Sequence, residues 1–251
     1  MVARSLGRGL QSAVFLSALL LIGLAPAAAR QRPHGESGKF DFYLLSLSWS
    51  PSYCDSVQER ASGHRTEARP DQQCAGGRPY DFVVHGLWPQ YERGFPSWCQ
   101  VPAPRIPRTL VDSMLDLMPS PRLVFHEWDR HGTCSGLSPH DFFAAMRQAR
   151  GAIKIPEAYA DLAQPITVAP GEVAENFLKA NPQLSRDEIA VACDRKRLTE
   201  VRICMGKDFA FRKCPGAVEK ACRMDRVIMP AVRGGKQADR AAKDSSEGAN
   251  R

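Results

Sequence analysis

Two histidines and a glutamate lie close together in the stretch FHEWDRHGTC, residues 125–134. In the helical zinc motif H-E-x-x-H, the two histidines are four residues apart and share one face of the helix. Here His126 and His131 are one residue further apart, so on a helix they would point roughly 140° away from each other. Glu127 and His131, by contrast, share a face. The spacing argues against a zinc site shared by the two histidines and favours a different chemistry.

A second histidine motif, HGLWPQY, occupies residues 85–91. We expect His85 at the end of a strand, followed by the rings of Trp88 and Tyr91, which could stack on unpaired nucleic-acid bases. Gln90 lies where its amide could contact the edge of a base. Taken alone, a histidine near a tryptophan is more often a structural hydrogen-bonding group beside a core residue. This motif therefore indicates a function only in combination with the other one.

Together the two motifs supply three histidines, Glu127 and the guanidinium of Arg130, with no serine or thiol nucleophile signature nearby. These groups suit acid–base cleavage of a phosphodiester, in which one neutral imidazole takes a proton and one protonated imidazole delivers a proton. Cationic groups stabilise charge on the phosphorus-bound oxygens. If a ribose 2′-hydroxyl attacks, neither a metal ion nor a protein nucleophile is needed. The alternatives are a zinc hydrolase built on the histidines and a charged surface helix.

The N-terminus has the order of a secretory signal peptide. Arg4 and Arg8 precede an apolar run of twelve residues, and Ala27 and Ala29 suit cleavage after residue 29. A transmembrane anchor is the alternative, but it needs about twenty apolar residues. Cleavage leaves 251 − 29 = 222 residues, which we expect to be free of the membrane. The net charge then falls from +7 to +5, because two arginines and no acids are lost, and a basic excess fits a polyanionic substrate.

All eight cysteines follow the predicted signal peptide. An even number of cysteines in an exported chain predicts four disulfides in an oxidising compartment. We therefore expect the protein in a periplasm or outside the cell. No C-x-x-C pair is present, which argues against a zinc ribbon or a thioredoxin-type site. The spacing of the cysteines alone leaves roughly a hundred possible pairings.

The hydrophobic pattern predicts strands and helices without βαβ regularity, which is typical of an α+β domain with a central, mainly antiparallel sheet flanked by helices. Residues 51–79 lack periodicity and are predicted to form a loop. The predicted strands are residues 39–50, 79–88, 197–205 and 208–214, the last two pairing around Gly206. The predicted helices are residues 108–118, 121–132, 138–150, 170–181 and 185–193. We expect a catalytic domain over residues 30–232 and a disordered tail over residues 233–251, which lack large apolar side chains.

The two histidine motifs, in this order, resemble the active-site segments of the ribonuclease T2 family of secreted RNA-degrading enzymes. The segments LLSLSWSPSYC and EVRICMGKDFAFRKCP are similar to that family's first strand and late strand pair, so the resemblance extends from about residue 40 to residue 230. It implies a metal-independent endoribonuclease with low base specificity that acts on single-stranded RNA without a cofactor. DNA should resist the enzyme, because DNA lacks the 2′-hydroxyl.

Carried over by motif position, the resemblance implies a role for each residue of the site. His131 would activate the 2′-hydroxyl, whose attack gives a 2′,3′-cyclic phosphate, and His85 would protonate the departing 5′ oxygen. Water then opens the cyclic phosphate to a 3′-phosphate. His126 would hold the phosphate, and Glu127 would help to stabilise the transition state beside Arg130. The family commonly has lysine at the position of Arg130, so a planar guanidinium replaces a compact ammonium group here.

The resemblance also implies disulfide pairs and substrate-binding residues. The pairs are Cys54–Cys74, Cys99–Cys134, Cys193–Cys222 and Cys204–Cys214. The second pair would clamp the loop after the first motif to the end of the second motif, fixing acid and base relative to each other. The expected substrate-binding residues are Arg130, Trp88, Gln90 and Tyr91, and we expect a monomer. The alternative from another class is a catalytically weakened relative that binds RNA or acts as a secreted toxin. The presence of all four expected catalytic residues argues against it.

Overall fold

The computed structural model describes residues 33–63, 71–75, 78–215 and 222–234, which belong to one compact unit. The predicted signal peptide, residues 1–29, lies outside the described residues, as does the predicted disordered tail beyond residue 234. No helix within the described ranges is both long and apolar enough to cross a membrane.

The described residues contain six strands: β1 (Phe42–Trp49), β2 (Phe82–Gln90), β3 (Ile166–Val168), β4 (Ile189–Cys193), β5 (Leu198–Met205) and β6 (Val227–Met229). Four of them form an antiparallel sheet with the spatial order β2-β1-β5-β4, and β3 pairs with β6 in a separate antiparallel ribbon. The central strand β1 is apolar and buried along almost its whole length. This sheet confirms the predicted α+β class.

Helices flank the sheet: α1 (Ser50–Gly63), α2 (Gln72–Ala75), α3 (Arg108–Asp112), α4 (Pro121–Arg130), α5 (Pro139–Gly151) and α6 (Pro170–Ala180). The last three confirm predicted helices. Each of these three has a proline in its first turn, where the missing backbone N–H costs no intrahelical hydrogen bond. Ser138 also caps α5, because its side chain accepts a hydrogen bond from the backbone N–H of Asp141.

Most of the apolar core lies on one face of the sheet, under the helices. From β1 it includes Leu45, Leu47 and Trp49, each 0% exposed. The opposite face carries a much smaller apolar cluster around Phe42 and Leu44. Because side chains alternate between the two faces of a sheet, the polar residues of β2 and β5 collect on this second face.

The predicted helix over residues 185–193 is wrong. Residues Arg186–Glu188 form a short 3-10 turn, and the chain then continues as strand β4. Ser185 and Glu188 do make the expected capping box. The four buried residues that follow it pair with β5, and this pairing overrides the local helix signal.

Three further segments depart from expectation. The predicted loop over residues 51–79 contains α1 and α2. The predicted helix over residues 108–118 ends at Asp112 and continues as turns. The predicted strand over residues 208–214 contributes only an isolated bridge between Met205 and Phe211. The loop was predicted because this segment lacks hydrophobic periodicity. Helix α1 is only weakly amphipathic and α2 has only four residues, so neither helix gives a clear periodic pattern in the sequence.

Four disulfides join the eight cysteines: Cys54–Cys74, Cys99–Cys134, Cys193–Cys222 and Cys204–Cys214. These are the pairs that the family resemblance implies. Cys99–Cys134 connects the loop after β2 with the segment after α4. It therefore links the two chain segments that carry the histidine motifs.

Candidate active site

One cleft of about 470 Å³ contains the residues of both histidine motifs. It opens on the sheet face that carries the smaller apolar cluster, between β2, β5 and α4. All eight sequence-predicted site residues line it: His85, Trp88, Gln90, Tyr91, His126, Glu127, Arg130 and His131. Leu44, Phe95 and Arg202 also lie on its wall and were not predicted.

A β-bulge turns His85 toward this cleft. In the pairing of β1 with β2, Gly86 lies opposite Ser46 and Val84 lies opposite Leu47, which leaves His85 without a partner. Strict alternation would send the side chains at positions 85 and 86 to opposite faces, whereas a bulge lets both positions face the same side. The expected strand end at His85 is therefore an irregularity within β2, which continues to Gln90.

Helix α4 supplies the second motif. Glu127 and Trp128 are buried on its inner side, while His126 is exposed. The helix ends at Arg130, and His131 follows as its C-cap, with its backbone N–H bonded to the Glu127 carbonyl. Glu127 and His131, with 1% and 6% exposure, lie on the buried side together, as their spacing predicts.

The Glu127 carboxylate is buried beside Gly86 and Trp88. Trp88 Nε1 donates a hydrogen bond to Glu127 Oε2 at 2.7 Å, and Glu127 Oε1 lies 3.8 Å from His85 Nε2. A Cβ atom at Gly86 would overlap both the carboxylate and the indole nitrogen, so this glycine leaves the space that Glu127 fills. Burial raises the pKa of Glu127 to about 7, against the opposing effects of His85, the Trp88 hydrogen bond and Arg130.

His131 is held as an uncharged imidazole. Its ring stacks on the indole of Trp88, with centroids 5.3 Å apart and planes inclined by 29°. Burial lowers the pKa of His131 well below 6.5, and Arg130, His85 and His126 lower it further by charge repulsion. In the part of the chain that the structure describes, its buried Nδ1 has no hydrogen-bond partner. A neutral imidazole of this kind is suited to accept a proton.

The pKa of His85 is shifted in the opposite direction by two nearby carboxylates. Its Nδ1 lies 2.7 Å from Glu200 Oε1, and its Nε2 faces Glu127. Burial by itself lowers the pKa of His85, but the hydrogen bond to Glu200 and the charges of Glu127 and Glu200 outweigh burial and raise this pKa above 6.5. The cleft thus contains one imidazole suited to accept a proton and another suited to donate one.

Sequence reasoning missed Glu200 and Arg202. Both lie on β5. Arg202 Nε donates a hydrogen bond to Glu200 Oε2 at 2.8 Å, and Arg202 Nη2 forms an ion pair with the same oxygen at 2.7 Å. A signal was present, because two charged residues at alternate positions of a predicted strand must share one face. Their partner could not be inferred, since His85 is 115 residues away in the sequence.

The other predicted residues have varied surroundings in the cleft. His126 is exposed, and its ring meets Trp98 edge-on at 5.7 Å. Arg130 and Tyr91 are half-buried. Gln90 is 8% exposed, and its side-chain amide donates to the carbonyl of the preceding residue. Contacts of Gln90 and Tyr91 with a base stay a prediction.

The described ranges contain no group of three or more His, Cys, Asp or Glu side chains placed to hold a metal ion. His126 is exposed on α4, whereas His131 is buried beyond its end. The zinc-hydrolase alternative therefore has no ligand set among these residues.

The fold and the cleft define an α+β protein in which the residues of both histidine motifs line one cleft. The chain belongs to the ribonuclease T2 family, whose model matches residues 40–214. A ribonuclease of Aeromonas hydrophila is 44% identical over 108 residues, which are 43% of this chain and 44% of that protein. A probable ribonuclease of Haemophilus influenzae is 31% identical over 179 residues, 66% of this chain and 62% of that protein.

The matched regions thus span less than two thirds of the length of either curated relative. Among solved structures, an RNase-related protein from Calystegia sepium superposes with a TM-score of 0.61, over 80% of this chain and 100% of that chain. At 18% sequence identity this likeness establishes the shared fold alone.

Proposed function

We propose that this protein is an endoribonuclease that cleaves single-stranded RNA through attack of the 2′-hydroxyl, without a metal ion or another cofactor. The main support is the pair of imidazoles with oppositely shifted pKa values, His131 and His85, which both pack against the indole of Trp88 in one cleft. Family membership and the names of the relatives point to the same chemistry. Separated pKa values are the usual basis for assigning an acid and a base in one site.

In the proposed first step, neutral His131 takes the proton of the 2′-hydroxyl. The 2′ oxygen bonds to phosphorus, the bond from phosphorus to the 5′ oxygen breaks, and His85 gives a proton to that leaving oxygen. The products are a 2′,3′-cyclic phosphate and a free 5′-hydroxyl. In the second step the roles reverse: His85 takes a proton from water as the water oxygen bonds to phosphorus, the bond from phosphorus to the 2′ oxygen breaks, and His131 returns a proton to the 2′ oxygen. The 3′-phosphate results.

Glu127, His126 and Arg130 would bind the phosphate. A pKa of about 7 lets Glu127 carry a proton in neutral or acidic solution, so its carboxyl can approach an anionic phosphate without repulsion and can donate a hydrogen bond. His126 and Arg130 line the same cleft and supply donors to the phosphoryl oxygens. We propose low base specificity as well, because the Gln90 side-chain amide already donates to the backbone carbonyl of Pro89.

We further propose that the chain is exported to a periplasm or the extracellular space, with the signal peptide removed after residue 29. Four disulfides fit an oxidising compartment. The catalytic domain would then span residues 30–232 and act as a monomer.

The test is digestion of a short single-stranded RNA in EDTA, with the matching DNA alongside and mass spectrometry of the ends. We expect 2′,3′-cyclic phosphate ends from RNA only. His85→Ala and His131→Ala should each lower the rate by about 100-fold or more, the usual contribution of a general acid or base. The matched control is His140→Ala, which removes an exposed histidine of α5 outside the cleft and should leave the rate unchanged.

Two results would overturn the proposal. Cleavage that EDTA abolishes would show that a metal ion drives the reaction. Intact RNA after incubation with folded protein would rule out the activity, and RNA binding under those conditions would favour a catalytically weakened relative.

A further inference from the structure

Glu200 is fixed in the sheet beside His85. It lies on β5 opposite Ser48 of β1 and Ala192 of β4, so strands on both sides hold its backbone, and it is only 8% exposed. Its Oε1 lies 2.7 Å from His85 Nδ1. Because an ionised carboxylate can only accept hydrogen bonds, this contact requires the proton to be on Nδ1.

Arg202 binds the second oxygen of the Glu200 carboxylate. Its Nε donates to Oε2 and its Nη2 forms an ion pair with the same atom, so each oxygen of Glu200 has a separate partner. Burial alone raises the pKa of Glu200, but His85 and Arg202 outweigh burial and lower this pKa to about 2. Glu200 therefore keeps its negative charge throughout the pH range of an activity assay.

Arg202 also connects this pair to the rest of the site. Its guanidinium carbon lies 5.8 Å from the ring centre of Trp88, whose indole nitrogen holds Glu127. The two nitrogens of His85 thus face carboxylates that are connected through Arg202 and Trp88, with Glu200 at Nδ1 and Glu127 near Nε2.

The charged and titratable groups around His85 come from β5, from α4 and from the residue that follows α4. Glu200 and Arg202 lie on β5, Glu127 and His126 lie on α4, and His131 follows α4. Glu127 can be neutral near pH 7, whereas Glu200 stays ionised. Glu200 therefore keeps a negative charge next to Nδ1 of His85 whether or not Glu127 is protonated.

We propose that Glu200 is a positioning residue for His85 and that Arg202 holds Glu200 in place. The inference rests on the proposed function, because it assumes that His85 is the general acid. Glu200 keeps a proton on Nδ1 and directs Nε2 into the cleft. In the first step the proton leaves from Nε2 to the 5′ oxygen, while the Nδ1 proton stays in its hydrogen bond. In the second step the lone pair of Nε2 accepts a proton from water.

The test is Glu200→Gln, which keeps a hydrogen-bond acceptor of the same shape but removes the charge. We expect the pKa of His85, measured by NMR titration of its ring proton, to fall by about one unit or more. Since one unit changes the protonated fraction about tenfold, kcat above that pKa should fall about tenfold while KM changes little. The alkaline limb of the pH–rate profile should move to lower pH by the same amount.

The charge of Arg202 lowers the pKa of His85, so Arg202→Gln should not move the alkaline limb to lower pH as Glu200→Gln does. It should instead lower kcat because Glu200 is no longer held in place, and Arg202→Lys should restore part of that loss. Glu157→Gln is the matched control, because it removes an exposed carboxylate far from the cleft lining and should change neither the titration nor the rate. The His85 resonance is assigned by its loss in His85→Ala.

An unchanged His85 titration in folded Glu200→Gln would overturn the inference. If that variant does not fold, ¹⁵N-histidine labelling of the wild-type protein provides the test: neutral His85 must carry its proton on Nδ1, and a proton on Nε2 would overturn the inference. These measurements do not depend on activity. A wild-type protein that shows the expected titration but leaves RNA intact would therefore contradict the proposed function alone.

Discussion

Burial favours the uncharged form of every imidazole, so His85 and His131 must be distinguished by their neighbours. His131 stacks on Trp88 and lies next to Arg130, and each of the charges acting on it is positive. His85 lies between the carboxylates of Glu127 and Glu200. The difference in carboxylate contacts is therefore the physical basis for assigning His85 as the acid and His131 as the base.

The buried carboxyl of Glu127 should make the protein less stable as the pH rises. Its pKa is about 7 in the folded chain and about 4.5 when exposed. Between these values the folded chain holds a proton that the unfolded chain has released, so stability falls through this window. Glu127→Gln should therefore be more stable than the wild type above pH 7, by up to about 3 kcal/mol, and equally stable below pH 4.5. Urea unfolding at pH 4, 5.5 and 7.5 measures this difference.

Titration of His131 affects both proteins equally and cancels in the comparison. Glu157→Gln serves again as the control, with a small difference from the wild type at all three pH values. A Glu127→Gln variant that loses stability relative to the wild type as the pH rises would contradict the expected state of this carboxyl. Its RNA cleavage should be impaired even where its stability is higher, because the group that faces the phosphate is altered.

At the scale of elements, the bulge in β2 and the C-terminal end of α4 bring the histidines together. Gly86 allows β2 and α4 to pack closely, because Glu127 and Trp88 occupy the space that a side chain at this position would fill. Gly86→Ala should displace both groups, lower RNA cleavage more than tenfold and reduce stability by about 1–3 kcal/mol, as overpacking does. Initial rates on RNA and urea unfolding measure the two effects.

Gly171→Ala is the matched control for this substitution. Gly171 is exposed near the start of α6, and no atom lies within 4 Å of a Cβ placed there. Alanine should leave cleavage unchanged and add up to about 1 kcal/mol of stability in the helix. If Gly86→Ala cleaves RNA as fast as Gly171→Ala, the close contact with Glu127 does not matter for the reaction.

The sequence predicts elements well where periodicity and caps agree, and poorly where they conflict. Helices α4, α5 and α6 have proline starts and apolar periods, and all three occur. Strand β4 was predicted as a helix because a Ser-x-x-Glu cap precedes a short apolar run, and such a run suits either element. Pairing with β5 decides between them, and strand pairing is not encoded locally.

The same distinction applies to the site. The eight residues of the two motifs line one cleft, and each motif can be recognised because its residues are close together in the sequence. The bulge at His85 depends on its register against β1, and the contact with Glu200 joins residues 115 apart in the chain. Neither can be read from spacing, so the residue that supports His85 was missed.

At the scale of the whole molecule, disulfides and ion pairs hold separate segments of the fold together. Cys99–Cys134 joins the loop after β2 to the segment that begins with His131. Cys54–Cys74 lies elsewhere, between α1 and α2. Helix α1 is also held to the β4–β5 turn by Arg197, which bonds Glu59 and Asp194. Both disulfides thus stabilise the fold, but of the two it is Cys99–Cys134 that is attached to a segment lining the cleft.

This difference predicts separate effects on stability and catalysis. The closed loops span 20 and 35 residues, so replacing either cysteine pair by alanine should cost about 3–4 kcal/mol in the chain-entropy description. Without Cys99–Cys134, the segment that begins with His131 is no longer covalently joined to the loop after β2. Because small displacements of catalytic groups slow the reaction, kcat should fall about tenfold or more. Without Cys54–Cys74, kcat should be unchanged. Both variants are assayed well below their unfolding temperatures, and equal losses of kcat would mean that the disulfides contribute only stability.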